Sequence, residues 1–294
     1  FHDTPEGLAA SVRAADLAAP AMRDWLLHPE RAILPENEWP EKVPYARVHV
    51  GSQDEWDEVG AELIRLGICA TARLSDAFSV RGQPVLNGAF AREKKRKPAP
   101  GQRRVCRLII NMVPINTYQR MSESDLGTLS ASSAWTAIPL EGDAVIIWSS
   151  DDTRGAFHVF ALPEQWRPYM MFEKLIRGKA VGCSEQWVYL AMAVLPMGWA
   201  HALSLCQLVA ESAAARAGLA PAARIRDGRV CPAMDSGGHI EYVDNFAALS
   251  LSAESTQRSK DAMVSELRAR GLPVHEESEA STTAQLLGWL IDGL

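Results

Sequence analysis

The sequence predicts an α+β fold in which an antiparallel sheet is covered by helices. The C-terminal half carries the evidence, because strand, helix, hairpin, helix and strand patterns follow one another along it. Glycines and a short turn separate these segments, as expected for close antiparallel connections. The chain has 294 residues, of which 47% are hydrophobic, so it can bury one large core or two smaller ones.

Charge and cysteine content restrict the function classes. The formal charge is -6, which argues against a protein whose whole surface attracts nucleic acid but leaves room for a local basic groove. The five cysteines are scattered without a CxxC pair. We therefore expect a reducing, intracellular compartment and neither a zinc nor a disulfide framework. No apolar run reaches about 18 residues, so no membrane span is expected.

The first half of the chain contains an extension, a helix, two strands and a basic loop. Residues 1–50 combine Ala-rich and Pro-rich stretches, which predicts an extension. The first residue is Phe, no signal-peptide pattern follows it and the last residues are apolar and strand-like, so we expect the chain to be part of a longer polyprotein. Ser52 and Glu55 make a capping-box pattern that opens a helix through "QDEWDEVGAELIRLG". "ICATARL" and "VCRLIINM" predict strands. The basic run "AREKKRKPAPGQRR" contains prolines and a glycine, which favours a loop.

The second half begins with "DAVIIWSS", an almost wholly apolar strand that we expect to be central in a sheet. "WVYLAMAVL" fits either a strand or a buried helix, and "PMG" ends it. A long helix is predicted up to Gly218 and an amphipathic one up to Gly271. Between them, "HIEYVDNFAALSL" alternates apolar and polar residues around an Asp-Asn pair, which predicts a hairpin. "AQLLGWLIDG" predicts a last strand.

Two acidic residues in these segments are candidate metal ligands. Asp152 follows the apolar strand, where a carboxylate is costly to desolvate unless it is exposed, paired or bound to a metal. Asp244 lies at the tip of the hairpin, where Asp also serves as a turn-former. A strand end that meets solvent and a plain turn are the alternatives for these two residues.

Several motifs occur in a fixed order around these acids. They are "RLIINMVPIN" from Arg107 to Asn116, "DTRGAF" at 152–157, "LPMGWAHALSLCQ" at 195–207, "YVDN" at 242–245 and "LLGWLIDG" near the end. In these motifs the chain resembles the reverse transcriptase family, the RNA-directed DNA polymerases of retroelements and retroviruses. The resemblance covers roughly residues 90–294 and is closest to divergent retroelement polymerases.

The resemblance implies a right-hand polymerase architecture of fingers and palm, with an antiparallel palm sheet backed by helices and with the thumb absent. The expected division is an extension at 1–50, fingers at 51–145 and 160–198, and palm at 146–159 and 199–294. A thumb, an RNase H domain and an integrase domain are not recognisable in the sequence.

The implied chemistry is nucleotidyl transfer with Mg²⁺ or Mn²⁺. Two magnesium ions about 4 Å apart stabilise the attacking and leaving oxygens in such reactions, and they prefer hard oxygen ligands. The resemblance makes Asp152 and Asp244 the catalytic carboxylates and metal ligands, with the backbone carbonyl of Thr153 as a further oxygen.

The resemblance also implies contacts to an incoming dNTP. Arg107 would bind the triphosphate, for which its planar guanidinium is suited, although an ordinary exposed strand residue is an equal alternative. Phe157 would lie beneath the sugar and exclude a 2′-hydroxyl, with a core aromatic as the alternative. Met197 and Gly198 would form a tight turn that lets the nucleotide approach the backbone closely.

The expected partners are an RNA template with a DNA primer, and dNTPs. Gln207 and Tyr242 occupy positions implied to contact the template or primer, although a plain helix-surface glutamine is equally consistent with Gln207. The basic loop would contact template or triphosphate phosphates through its lysines and arginines, with a solvated charge run as the alternative. These residues are Lys94, Lys95, Arg96, Lys97, Arg103 and Arg104.

Two departures from the family pattern leave the activity open. Asn245 stands where relatives carry a second acid, and a neutral amide is a poorer Mg²⁺ ligand. The segment "GLPVHEESEAS" lacks the lysine that protonates the leaving group in relatives, and it offers only His275 as a proton donor. The alternatives are therefore a decayed or domesticated fold that binds nucleic acid without catalysis, or an unrelated α+β protein.

Overall fold

The structure is a computed structural model that describes residues 7–93, 106–120, 129–130 and 132–293. It confirms the α+β prediction, because helices accompany several small, mostly antiparallel sheets. Within the described residues, no helix is both long enough and apolar enough to cross a membrane. The predicted basic loop lies outside the described residues.

The α-helices of the described residues are α1 (Ala14–Leu17), α2 (Pro20–Leu27), α3 (Gln53–Arg65), α4 (Val113–Asn116), α5 (Ser132–Thr136), α6 (Ala156–Val159), α7 (Ala202–Arg216) and α8 (Ala253–Ala269). The strands are β1 (Val12–Arg13), β2 (Cys69–Ala72), β3 (Ser79–Val80), β4 (Gln83–Pro84), β5 (Gly88–Glu93), β6 (Cys106–Asn111), β7 (Ile147–Thr153), β8 (Phe160–Ala161), β9 (Ile176–Arg177), β10 (Trp187–Met192), β11 (Gly238–Tyr242), β12 (Asn245–Ser250), β13 (Val274–His275), β14 (Thr283–Leu286) and β15 (Trp289–Asp292).

The chain divides into two compact units, each built from two segments. The first unit comprises Phe1–Ser122 and Phe157–Ala202, and the second comprises Glu123–Ala156 and Leu203–Leu294. The segment expected to be an N-terminal extension belongs to the first unit. Residues 123–145, which we expected in the fingers, belong to the second unit together with Asp152.

In the first unit, helix α3 packs against an antiparallel sheet of order β2-β10-β9. Ser52 caps this helix as predicted, since its Oγ accepts the Glu55 N–H at 3.1 Å. Gly60 permits the close packing, because a Cβ atom there would lie 2.2 Å from Cδ1 of Ile176 on β9. The ambiguous segment at 187–195 forms strand β10, which pairs with β2 on one side and β9 on the other.

In the second unit, four antiparallel strands form a sheet of order β11-β12-β7-β13. Trp148, Ala247 and Leu249 share one face of this sheet and enter a buried apolar cluster. Helix α8 packs against β7 and β12, where Thr256 Oγ1 donates to the Ile147 carbonyl at 3.2 Å. One helix therefore covers the face of this sheet opposite the apolar cluster.

Strand β7 differs from its prediction in extent. It runs from Ile147 to Thr153 and therefore contains both Asp151 and Asp152, whereas the apolar pattern predicted an end at residue 150. The extension arises because β12 and β13 both pair with the polar end of the strand. The last predicted strand is instead a hairpin of β14 and β15, which turns at Leu287 and Gly288, both at positive φ.

The other edge of β7 is completed by the segment that follows β13. Ser278 donates its N–H to the Ser150 carbonyl at 2.8 Å, and its Oγ accepts the Ser150 N–H at 2.8 Å. Further along, Ser281 and Trp148 exchange two backbone hydrogen bonds, at 2.7 and 2.8 Å. A side-chain hydroxyl thus replaces one backbone carbonyl as hydrogen-bond acceptor next to the acidic end of β7.

We predict that Ser278→Ala lowers the free energy of unfolding by about 1–3 kcal/mol, because it leaves the N–H of buried Ser150 without a partner. Urea unfolding followed by circular dichroism measures this change. Ser281→Ala is the matched control, since within the described residues its exposed hydroxyl bonds the N–H and hydroxyl of exposed Thr283, and its backbone pairs remain. Equal losses in the two variants would contradict the prediction.

Candidate active site

The hairpin that carries Asp244 turns one residue earlier than its sequence indicates. Tyr242 pairs with Asn245, so the two turn residues are Val243 and Asp244 rather than Asp244 and Asn245. Val243 is buried and lies at φ 61°, a conformation that costs a β-branched residue about 1–3 kcal/mol. The turn therefore needs support from outside the hairpin.

Helix α7 supplies this support through Gln207. Its Oε1 accepts the Val243 N–H at 2.9 Å, and its Nε2 donates to the Glu241 carbonyl at 3.1 Å. The same Nε2 lies 2.9 Å from Glu211 Oε1. Gln207 is only 2% exposed, so its contacts favour a role in holding the hairpin over the predicted contact with a template.

The two candidate acids lie next to each other, Asp152 near the end of β7 and Asp244 in the turn between β11 and β12. Residue 245 pairs with Asp152 in the β12–β7 register, which brings the turn residue Asp244 next to the end of β7. The Thr153 N–H donates to the Asp244 carbonyl at 2.7 Å and fixes the two backbones against each other. The structure thus brings Asp152, Thr153 and Asp244 together.

The surroundings of Asp152 disfavour a negative charge on Asp152 and Asp244 at the same time. Burial, together with the negative charges of Asp244 and Glu276, raises the pKa of Asp152 from 3.8 to about 7. A divalent cation relieves such repulsion, and carboxylate oxygens are ligands that Mg²⁺ and Mn²⁺ accept. The donor set therefore fits a hard divalent cation, although among the described residues no three His, Cys, Asp or Glu side chains form a metal-binding group.

Each acid has a nitrogen donor beside one of its oxygens. Asn245 Nδ2 donates to Asp244 Oδ1 at 2.9 Å. His275 Nε2 lies 3.1 Å from Asp152 Oδ1, on the strand that pairs with the other side of β7. Asn245 therefore contributes a hydrogen bond to its neighbour and no negative charge.

Asp151 points away from this site. It pairs with Phe246, whereas Asp152 pairs with residue 245, and side chains of successive strand residues lie on opposite faces. Asp151 is 3% exposed and neither of its oxygens has a hydrogen-bond partner within the described residues. Burial raises its pKa to about 7, against the lowering effect of Lys260. Asp151 does not compensate for the missing acid at 245.

A buried ionic cluster lies behind the hairpin, and sequence patterns gave no sign of it. Glu241 Oε1 lies 2.6 Å from His239 Nδ1, and Arg224 Nε lies 2.9 Å from Glu241 Oε2 without hydrogen-bond geometry. Arg224 also reaches Glu211 on α7 at 3.0 Å. His239 Nε2 lies 2.9 Å from the Ala220 carbonyl. Charges normally found at surfaces therefore connect β11 to α7, which only the three-dimensional structure reveals.

The remaining predicted site residues lie on or beside the hairpin or in the first unit. Tyr242 is half-buried at the end of β11. In the first unit, Arg107 is exposed on β6, and Phe157 and Met197 are half-buried. Their predicted contacts with a primer or nucleotide remain predictions.

Gly198 has a local structural reason to be glycine. It lies at φ 112°, and a Cβ atom there would be 2.4 Å from the Ile110 carbonyl oxygen. Asn116 holds the same turn, since its Nδ2 donates to the Gly198 carbonyl at 2.9 Å and its Oδ1 accepts the Ala200 N–H at 3.0 Å. The first and third motifs of the resemblance thus contact each other within the first unit.

Comparison with known proteins adds no further assignment. No model of a known protein family matches the chain, and no curated protein matches it.

We predict that Gln207→Met lowers the free energy of unfolding by about 2–4 kcal/mol, because it leaves the Val243 N–H and the Glu241 carbonyl unpaired. Urea unfolding measures the loss. Gln285→Met, at an exposed position of β14, is the control and should change stability by less than about 0.5 kcal/mol. A loss of stability in Gln207→Met no greater than that of the control would contradict the role of Gln207 in holding the hairpin.

We predict that the folded protein loses stability as the pH rises from about 4 to above 7. The pKa of Asp151 and of Asp152 is raised from 3.8 to about 7, so the folded state keeps protons that the unfolded chain releases. This stabilisation is complete below pH 3.8 and is lost as the pH rises through about 7.

Urea unfolding at pH 5, 6, 7 and 8 tests this dependence. Asp151→Asn removes one titrating group, so the slope of the free energy of unfolding against pH should become less steep by up to about 1.4 kcal/mol per pH unit. The variant should also be more stable than the wild type at pH 8. Asp235→Asn, at an exposed position of the same unit, is the matched control. An unchanged slope in Asp151→Asn would contradict the assignment.

Proposed function

We propose that the protein is a template-directed nucleotidyltransferase of the reverse transcriptase type, which extends a DNA primer on an RNA template from dNTPs. One observation carries the proposal: Asp152 on β7 lies beside Asp244, in the turn that leads into the adjacent strand β12, and the Thr153–Asp244 backbone hydrogen bond of 2.7 Å ties the two segments. The motif resemblance predicts this pairing of an acid after an apolar strand with an acid in a hairpin turn. A right-hand fingers-palm architecture is part of the proposal.

The roles of the residues follow from their positions. Asp152 and Asp244 would hold Mg²⁺ or Mn²⁺, and Thr153 would add its carbonyl oxygen. The bound cations would supply charge stabilisation for the phosphoryl group under transfer. The raised pKa of Asp152 supports this role, because a carboxylate that repels its neighbour gains most from a cation.

Residues of the first unit complete the proposal by resemblance. Arg107 would bind the triphosphate, and its exposure on β6 leaves the guanidinium accessible. Gly198 would let the nucleotide approach the backbone. Phe157 would exclude ribonucleotides, and Met197 would add an apolar contact to the nucleotide.

A second candidate is a nucleic-acid-binding protein that has lost catalysis. Asn245 favours it, because the side chain donates a hydrogen bond to Asp244 Oδ1 and adds no negative charge. The exposed Arg107 would still allow contact with phosphates. Binding without nucleotide incorporation separates this candidate from the first.

We predict that the protein adds dTMP from dTTP to an oligo(dT) primer on poly(rA), with release of pyrophosphate, in the presence of Mg²⁺ or Mn²⁺. Asp152→Asn and Asp244→Asn should each reduce the rate at least about 100-fold, since loss of a ligand exceeds the 10–100-fold effect of outer-shell partners. Asn245→Asp should keep or raise the rate. A gel assay of single-nucleotide incorporation measures these effects.

Asp235→Asn is the control for this assay, because it removes an exposed acid of the same unit outside the site. Incorporation by Asn245→Asp but not by the wild type would favour the decayed fold. Incorporation that survives Asp152→Asn would contradict the proposed site. Binding of the primer-template without incorporation by any variant would favour the second candidate.

A further inference from the structure

His275 is placed on β13 so that its imidazole contacts Asp152. The two residues are register partners across β13 and β7, and His275 Nε2 lies 3.1 Å from Asp152 Oδ1. Both side chains are partly exposed, at 34% for His275 and 25% for Asp152. The contact therefore lies at the rim of the site, where an incoming ion or ligand can reach the carboxylate.

The backbone around His275 is held independently of the side-chain contact. Val274 pairs with Thr153, and the Arg154 N–H donates to the Pro273 carbonyl at 2.8 Å. A substitution at His275 therefore removes the side-chain contact and leaves these backbone pairs in place.

Within the described residues, the polar contact of the Asp152 carboxylate is with His275, whose Nε2 lies 3.1 Å from Oδ1. Asp244 differs, because its own neighbour Asn245 donates to its Oδ1 at 2.9 Å. The orientation of the Asp152 carboxylate thus depends on a residue that is distant in sequence.

We propose that His275 is a positioning residue for a divalent cation, which holds Oδ1 of Asp152 through Nε2–H and leaves Oδ2 for the cation. The proposal rests on the proposed function, because it assigns the cation to Asp152 and Asp244. Hydrogen bonds from outer partners orient ligating carboxylates, and their loss weakens metal binding by about 10–100-fold. His275 acts here through Asp152 and does not itself ligate the cation.

Glutamine and asparagine distinguish this role from a structural one. The amide nitrogen of Gln is two bonds beyond Cγ, as Nε2 of His is, whereas the amide nitrogen of Asn corresponds to Nδ1. His275→Gln therefore keeps the donor that faces Asp152, and His275→Asn moves it. The two variants have similar polarity, so a difference between them reports the hydrogen bond.

Mn²⁺ titration of the full chain, followed by loss of the free-ion EPR signal, tests the proposal. His275→Ala and His275→Asn should raise the Mn²⁺ Kd by about 10–100-fold, and His275→Gln should stay within about threefold of the wild type. Asp152→Asn should abolish binding at this site and serves as the reference. Circular dichroism and urea midpoints verify that all variants are folded.

The outcomes separate this inference from the proposed function. Equal Mn²⁺ affinity in wild type and His275→Ala, or equal weakening by Gln and Asn, would overturn the positioning role alone. Mn²⁺ affinity that follows the predicted order, without primer extension, would support the positioning role and count against the polymerase. A wild type that does not bind Mn²⁺ would overturn both.

Discussion

The antiparallel pairing of β7 with β12 is the constraint on which the candidate site depends. It places residue 245 opposite Asp152 and allows the Thr153 N–H to meet the Asp244 carbonyl at 2.7 Å. A shift of one residue would move every side chain of β7 to the other face. Trp148 would then leave the apolar cluster, so the core residues of the strand, rather than its acids, fix the register.

The hairpin is held in place by polar groups where a small protein would normally use apolar ones. Val243 adopts a left-handed conformation, and buried Gln207 on α7 binds its N–H and the Glu241 carbonyl. Behind it, Glu241 is 1% exposed and meets both a histidine and an arginine. Buried polar groups are costly unless they are paired, so this arrangement favours one geometry of the turn over many near alternatives. The backbone position of Asp244, the next residue of the turn, is fixed by the same contacts.

Local patterns were sufficient to predict much of the fold and part of the site. The Ser52 cap, the hairpin, and helices α7 and α8 follow from spacing and capping within a few residues, and the structure contains all of them. The proximity of Asp152 and Asp244 was predictable because each lies at a recognisable position of a motif.

Features that depend on distant contacts could not be predicted in this way. Preference for Asp-Asn at turns misplaced the hairpin turn by one residue, because strand register decides between the two positions. The extent of β7 depends on its partners, since β13 pairs with the acidic end that an apolar pattern leaves out. Gln207 reads as a surface residue of a helix until the hairpin is placed against it. His275 belongs to the site only through pairing with β7.

Asp151 and Asp152 lie on a strand that is synthesised long before the strands that pair with it. Strand β7 leaves the ribosome before the whole segment between Thr153 and Asn245, so its partner strands do not yet exist. An unpaired apolar strand is a template for association with other chains, and adjacent charges limit that association. In the nascent chain both carboxylates are solvated and charged. The acids that are costly to charge in the folded protein are thus charges at the end of a strand that is synthesised before its partners.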